Sequence, residues 1–85
     1  MHVRTVTDLG AAVRAERRRQ GMTQAELAAK MHVGRDWVVR FESGRPRLEA
    51  QKVLDALAAV GLGLDVSPRE ADDDDLEEMF GEWVK

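Results

Sequence analysis

The twenty-two residues from Thr23 to Gly44, TQAELAAKMHVGRDWVVRFESG, leave the chain few ways to fold. Thr23 followed three residues later by Glu26 is a capping box, in which each side chain satisfies a free backbone N–H at the start of a helix. The spacing predicts a helix from Thr23 to about Lys30, with Leu27 and Ala28 inward and Met31 closing it. Ala28 is small enough to let a second helix approach. Met31-His32-Val33-Gly34 makes the turn, and Gly34 is an acceptable cap for the next helix. That second helix runs from Arg35 to about Ser43. Its Val38 and Phe41 point one way, while Arg35, Asp36, Val39 and Arg40 point the other. Gly44 ends it, where a left-handed residue is expected just past the last turn. The product is two short helices fixed at an angle, the second with one apolar face and one charged face.

This spaced set resembles the helix-turn-helix of the Cro/C1-type (xenobiotic-response-element-type) repressors. Gln24, Leu27, Ala28, Val33, Val38, Phe41, Glu42 and Gly44 carry the resemblance. His32 departs from it, since the family usually places glycine in this turn. Histidine is among the non-glycine residues enriched at positive φ, so the turn remains feasible. The resemblance also implies that Arg17, on the preceding helix, pairs with Glu42. Such a buried pair serves as a specificity device more than as a source of net stability.

Charge bears on what a chain of this kind can bind. Over its 85 residues the net charge is −3, which fits a DNA binder poorly until the chain is divided. Residues 1–69 hold 12 Lys and Arg against 8 Asp and Glu, a net +4. Residues 70–85 hold 1 Lys against 8 Asp and Glu, a net −7. A basic body followed by an acidic segment suggests two partners of opposite character, or a body with a solubilising appendage. With no cysteine and two scattered histidines, His2 and His32, neither a disulfide framework nor a His/Cys metal site is expected, and no cofactor. No nucleophile–base constellation stands out, so an enzyme is the weakest reading. No apolar run approaches membrane-spanning length. The expectation is a cytoplasmic protein without membrane partners, whose small core would profit from dimerisation.

Before the central motif, Thr7 or Asp8 is expected to cap a first helix reaching about Gln20 and stopping at Gly21. Leu9, Ala12, Val13 and Glu16/Arg17 trace one side of it. Arg14, Arg17, Arg18 and Arg19 make its end basic, either as a solvated helix end or as a neighbour of phosphate. After the motif, Arg45 and Arg47 flank Pro46 in a loop suited to phosphate contacts. A further helix is expected from Leu48 to about Val60, with Val53, Leu54, Leu57 and Ala58 inward and Glu49, Lys52 and Asp55 wet. Residues 61–67 change period: Leu62, Leu64 and Val66 alternate with Gly63 and Asp65, a strand pattern. A lone strand cannot satisfy its own backbone, so its expected partner is the same strand of a second copy. In the acidic segment Leu76, Met79, Phe80, Trp83 and Val84 fall at helical spacing. That stripe either folds back on the body or docks in the groove of another protein.

The expected architecture is thus mostly α: a four-helix domain over 7–60, a dimerising strand over 61–67, and an acidic amphipathic segment over 69–85. The run G-R-P-R-L-x-x-x-x-V-L-x-A-L-A-A-V-G-L with its following strand resembles the HipB-like antitoxins. That resemblance implies a homodimeric repressor, an inverted-repeat operator in double-stranded DNA, and a HipA-like serine/threonine kinase toxin as partner. Thr23 and Gln24 would grip phosphate at a helix amino terminus. Arg35 and Arg40 would read bases, because arginine can bond guanine bidentately. Asp36 would accept from cytosine or orient Arg40, and Val39 could touch a thymine methyl. Trp37 either packs or meets phosphate and sugar. Two rival readings remain: a Cro/C1-type regulator without a toxin, and a protein-interaction module that no longer reads DNA.

Overall fold

The computed structural model describes residues 2–45 and 47–68. Four helices follow in order: α1 (Val6–Arg19), α2 (Gln24–Met31), α3 (Arg35–Glu42) and α4 (Ala50–Ala59). Their start signals are local. Thr23 caps α2 through the expected box: the Glu26 N–H donates to Thr23 Oγ1 at 3.0 Å, and the Thr23 N–H donates to Glu26 Oε1 at 3.2 Å. The cap of α1 lies earlier than Thr7 or Asp8. Thr5 takes it, and Asp8 closes the box from the third helical position, accepting from the Thr5 and Arg4 N–H groups. These donors, led by the Arg4 N–H, hold the Asp8 carboxyl below its ordinary pKa. Thr7 is freed to donate to the Gly44 carbonyl at 3.4 Å. The last helix starts at Ala50 rather than Leu48, because Glu49 is still extended at φ −68 and ψ 125.

All four helices stop the same way. One residue turns left-handed, and the residue after it donates its N–H back to the carbonyl five positions earlier: Met22 to Arg17, Val33 to Ala28, Arg45 to Arg40 and Leu62 to Leu57. This is the Schellman closure. Glycine supplies the left-handed residue three times, at Gly21, Gly44 and Gly61. His32 supplies it once, at φ 58 and ψ 42, as the motif's turn demanded. Met22, Val33 and Leu62 each pack against the core just past the closing turn.

That closure also gives Leu62, expected on a dimer strand, a place within its own chain. Its N–H is committed to Leu57 at 2.8 Å, and its side chain joins the core. Among the described residues no strand forms, and 62–68 run without regular structure. Leu64 and Val66, in contrast, are exposed, at 50% and 93%. The amphipathic stripe Leu76, Met79, Phe80, Trp83 and Val84 lies outside the described residues.

Val13, Leu27, Val38, Phe41 and Val60 are sealed from solvent at the centre, with Ala28, Trp37, Val53, Ala56 and Leu57 around them. Burying each large side chain contributes roughly 1.5–3 kcal/mol. On α4 the inward set is Val53, Ala56, Leu57 and Val60. Leu54 and Ala58, expected inward, face out. The buried set keeps the i, i+3, i+4, i+7 spacing of one helix face. No helix among the described residues is long and apolar enough to cross a membrane.

Candidate nucleic-acid interface

The inner half of α3 is anchored at three points. Val38 and Phe41 fill the core. Trp37, only 6% exposed, packs on Phe41 with ring centroids 5.2 Å apart, which takes its ring out of the contact set and into the core. At the far end, Glu42 meets Arg17 of α1 in a two-pronged pair. Arg17 Nε donates to Oε2 at 2.7 Å and Nη2 to Oε1 at 2.8 Å, with both side chains buried. The remaining guanidinium nitrogen, Nη1, donates to the Met22 carbonyl at 2.7 Å. The Glu42 hydrogen bonds outweigh burial and hold the Arg17 pKa above its ordinary value. This is the pair that the Cro/C1-type resemblance implied.

Gly10 makes the same contact possible further along α1. A Cβ there would collide with the Phe41 carbonyl oxygen and stand 3.3 Å from Glu42 Cα. The sequence reading missed it, although Gly10, Val13 and Arg17 fall at i, i+3 and i+7, and all three are buried.

With its inner half fixed, α3 turns Arg35, Asp36, Val39 and Arg40 to solvent. Val39 is 39% exposed, which for a β-branched side chain on a charged face leaves a bare methyl surface. Arg40 Nη2 lies 3.7 Å from Asp36 Oδ2 one turn back; both are well exposed, so this pair orients more than it stabilises. Arg45 and Arg47 are exposed beyond the helix end.

Beside this face, an open cleft of about 460 Å³ is lined by Arg14, Arg17 and Arg18 of α1, by Thr23, Gln24 and Ala25 at the start of α2, and by Arg35. Among the described residues, Arg14 and Arg18 pair with no carboxylate. Arg19 differs: it binds Glu16 on its own helix, and that contact, seconded by Gln20, brings the Glu16 pKa down to about 2. The cleft therefore joins a helix amino terminus to uncompensated guanidinium groups, two features that both favour an anion. Thr23 is exposed there, but the Gln24 amide is engaged inside the molecule. Its Nε2 donates to Glu42 Oε1 at 3.3 Å, and its Oε1 accepts from Arg35 Nη2 at 3.4 Å. No group of His, Asp and Glu among the described residues could hold a metal ion.

Comparison with known proteins agrees with this geometry. The helix-turn-helix domain family matches residues 8–71. The chain is 38% identical over 64 residues to the uncharacterised HTH-type transcriptional regulator y4mF of Sinorhizobium fredii, an alignment covering 75% of this chain and 84% of that protein. Its fold is also that of HipB as seen in the HipB-O4 20mer complex, with a TM-score of 0.75 and 21% identity over 82% of this chain and 99% of that one. A family match over most of the chain, an arginine–glutamate lock under the second helix of the motif and an outward basic face agree: this chain belongs to the Cro/C1-type helix-turn-helix family of DNA-binding transcriptional regulators.

Proposed function

We propose that the chain is a sequence-specific repressor that binds an inverted-repeat operator as a homodimer and serves as the antitoxin of a type II toxin–antitoxin pair. The observation that carries the DNA reading is the rigid presentation of Arg35, Val39 and Arg40 next to the arginine cleft. In this reading α3 enters the major groove. Arg40 and Arg35 bond base edges, Asp36 holds Arg40, and Val39 meets a thymine methyl. Thr23, the first amides of α2, Arg45 and Arg47 bind phosphate.

Leu64 and Val66 support the homodimer, since two apolar side chains on an irregular segment are well satisfied by pairing with the same segment of a second copy. The likeness in fold to HipB, seen in its O4 20mer complex, supports the antitoxin role, as does the Leu76–Val84 stripe, a docking element for a kinase toxin of the HipA type. A regulator without a toxin is the second reading, favoured by the HTH-type regulator y4mF as a relative.

The test is binding of the full chain to its own upstream DNA, by gel shift over a salt series. Affinity falls steeply with salt and exceeds that for scrambled DNA by at least about a thousandfold, the lower range for specific sites. Equal affinity for both sequences would remove the repressor reading. A kinase that co-purifies with the chain, and is lost with Phe80→Ala and Trp83→Ala together, separates antitoxin from toxin-free regulator.

A further inference from the structure

Arg14, Arg17, Arg18 and Arg19 crowd the carboxyl end of α1, and the fold sorts them into two pairs. Arg17 and Arg19 are already engaged. Arg17 uses all three guanidinium nitrogens on Glu42 and the Met22 carbonyl, and Arg19 binds Glu16. Arg14 and Arg18 are exposed, and among the described residues neither pairs with a carboxylate. Four residues apart, they lie one above the other on the same face, about 6 Å along the axis at 1.5 Å per residue. Both line the open cleft that Thr23 and Gln24 close off at the start of α2. Arg35 lines it from α3, and its Nη2 donates to Gln24 Oε1 at 3.4 Å. The cleft is therefore continuous with the outward face of α3.

We infer that Arg14 and Arg18 form a second backbone anchor for duplex DNA, outside the helix-turn-helix, along the strand that passes the start of α2. The inference rests on the DNA reading above and extends it to a helix that reads no base. One DNA strand carries a phosphate per roughly 3.4 Å of helix axis, so the spacing of the two arginines spans about two phosphates. An open row of this kind suits a strand running past it, whereas a small anion is held by enclosure. Contacts to phosphate add affinity without adding sequence preference. Each phosphate neutralised steepens the dependence of log affinity on log salt by about 0.9, so the pair accounts for about 1.8 per protomer.

The test uses the full chain with Arg14→Gln and Arg18→Gln together, against the parent. Both side chains are exposed, so the fold is retained, and circular dichroism checks it. A control, Lys30→Gln with Lys52→Gln, removes the same charge at residues that do not line the cleft. In gel shifts the cleft variant binds operator and scrambled duplexes more weakly by the same factor. Its salt slope is shallower by about 1.8 per protomer, so its deficit shrinks by roughly tenfold between about 50 and 200 mM salt. Ethylation of single phosphates beyond the bases that α3 reads blocks the parent, and two of those positions in each half-site no longer matter to the variant. A slope equal to the parent's, or one that the lysine control matches, overturns the inference and leaves operator binding intact. A lowered ratio of operator to scrambled affinity overturns it too, because the arginines then carry sequence preference. A parent that binds no DNA sinks the repressor reading, and this anchor with it.

Discussion

The two halves of α3 answer to different constraints, although they alternate along eight residues. On the inner half Trp37, Val38, Phe41 and Glu42 are all buried, and Glu42 is held by both prongs of Arg17. On the outer half Arg35, Asp36, Val39 and Arg40 are all exposed, joined by one long exposed ion pair. The inner half sets where the helix lies. The outer half can change its chemistry without moving the helix. Under the proposed DNA reading, such a helix alters its sequence preference at little cost in stability, provided the changes stay on one side.

The largest expected effect tests the inner half. Glu42→Ala leaves Arg17 buried without its counter-ion and should cost roughly 3–5 kcal/mol in denaturant unfolding. Replacing the pair together, Arg17→Met with Glu42→Leu, should cost far less. If the double change costs as much as the single, the pair contributes net stability rather than position.

Gly10→Ala comes next. Alanine favours a helix over glycine, yet its Cβ would meet the Phe41 carbonyl, so a net loss of roughly 1–3 kcal/mol is expected. A gain in melting temperature would mean that α1 and α3 can part cheaply.

On the outer half, Arg40→Ala should leave unfolding within about 0.5 kcal/mol of the parent. It should weaken operator binding by roughly 1–3 kcal/mol and relax preference at one base position. Uniform weakening over all sequences would make Arg40 a phosphate contact.

The smallest effect lies away from α3 and is set by pH. The folded pKa of Asp8 is depressed, so its cap adds stability above the unfolded value of about 3.9, and that stability is lost as pH falls through the folded value. Asp8→Asn should therefore lower the melting temperature slightly near neutral pH and leave it almost unchanged at the acid end. Thermal unfolding of both chains across roughly pH 2–7 reads the difference closing.

The same division explains what the sequence made legible. The Thr23–Glu26 capping box and the apolar face of α3 are local, so residue spacing alone locates them. For α1, spacing points to Thr7 or Asp8 as the cap instead of Thr5, and the left-handed turn at His32 comes with the family resemblance. Arg17–Glu42 spans 25 residues and came only from family resemblance. What escaped was set by tertiary packing. Gly10 reads as a weak helix residue until a second backbone crosses it. On α4 Leu54 and Ala58 are expected inward, but the helix is turned so that Val53, Ala56, Leu57 and Val60 meet the core and Leu54 lies 43% exposed. Leu62 alternates with its neighbours like a strand residue, and spacing gave no sign that its N–H closes the end of α4. Arg14 and Arg18 read equally well as a solvated helix end, and only the fold brings them beside the start of α2.

The amide of Gln24 carries a restriction of its own. Its nitrogen faces a carboxylate and its oxygen faces a guanidinium, so the group has a fixed polarity between Glu42 and Arg35. Glutamate at this position would keep the second partner and set two acids against each other at the first. Lysine would satisfy the first and repel the second. Drift at position 24 is thereby tied to positions 42 and 35, and homologues that change one should be found to have changed another.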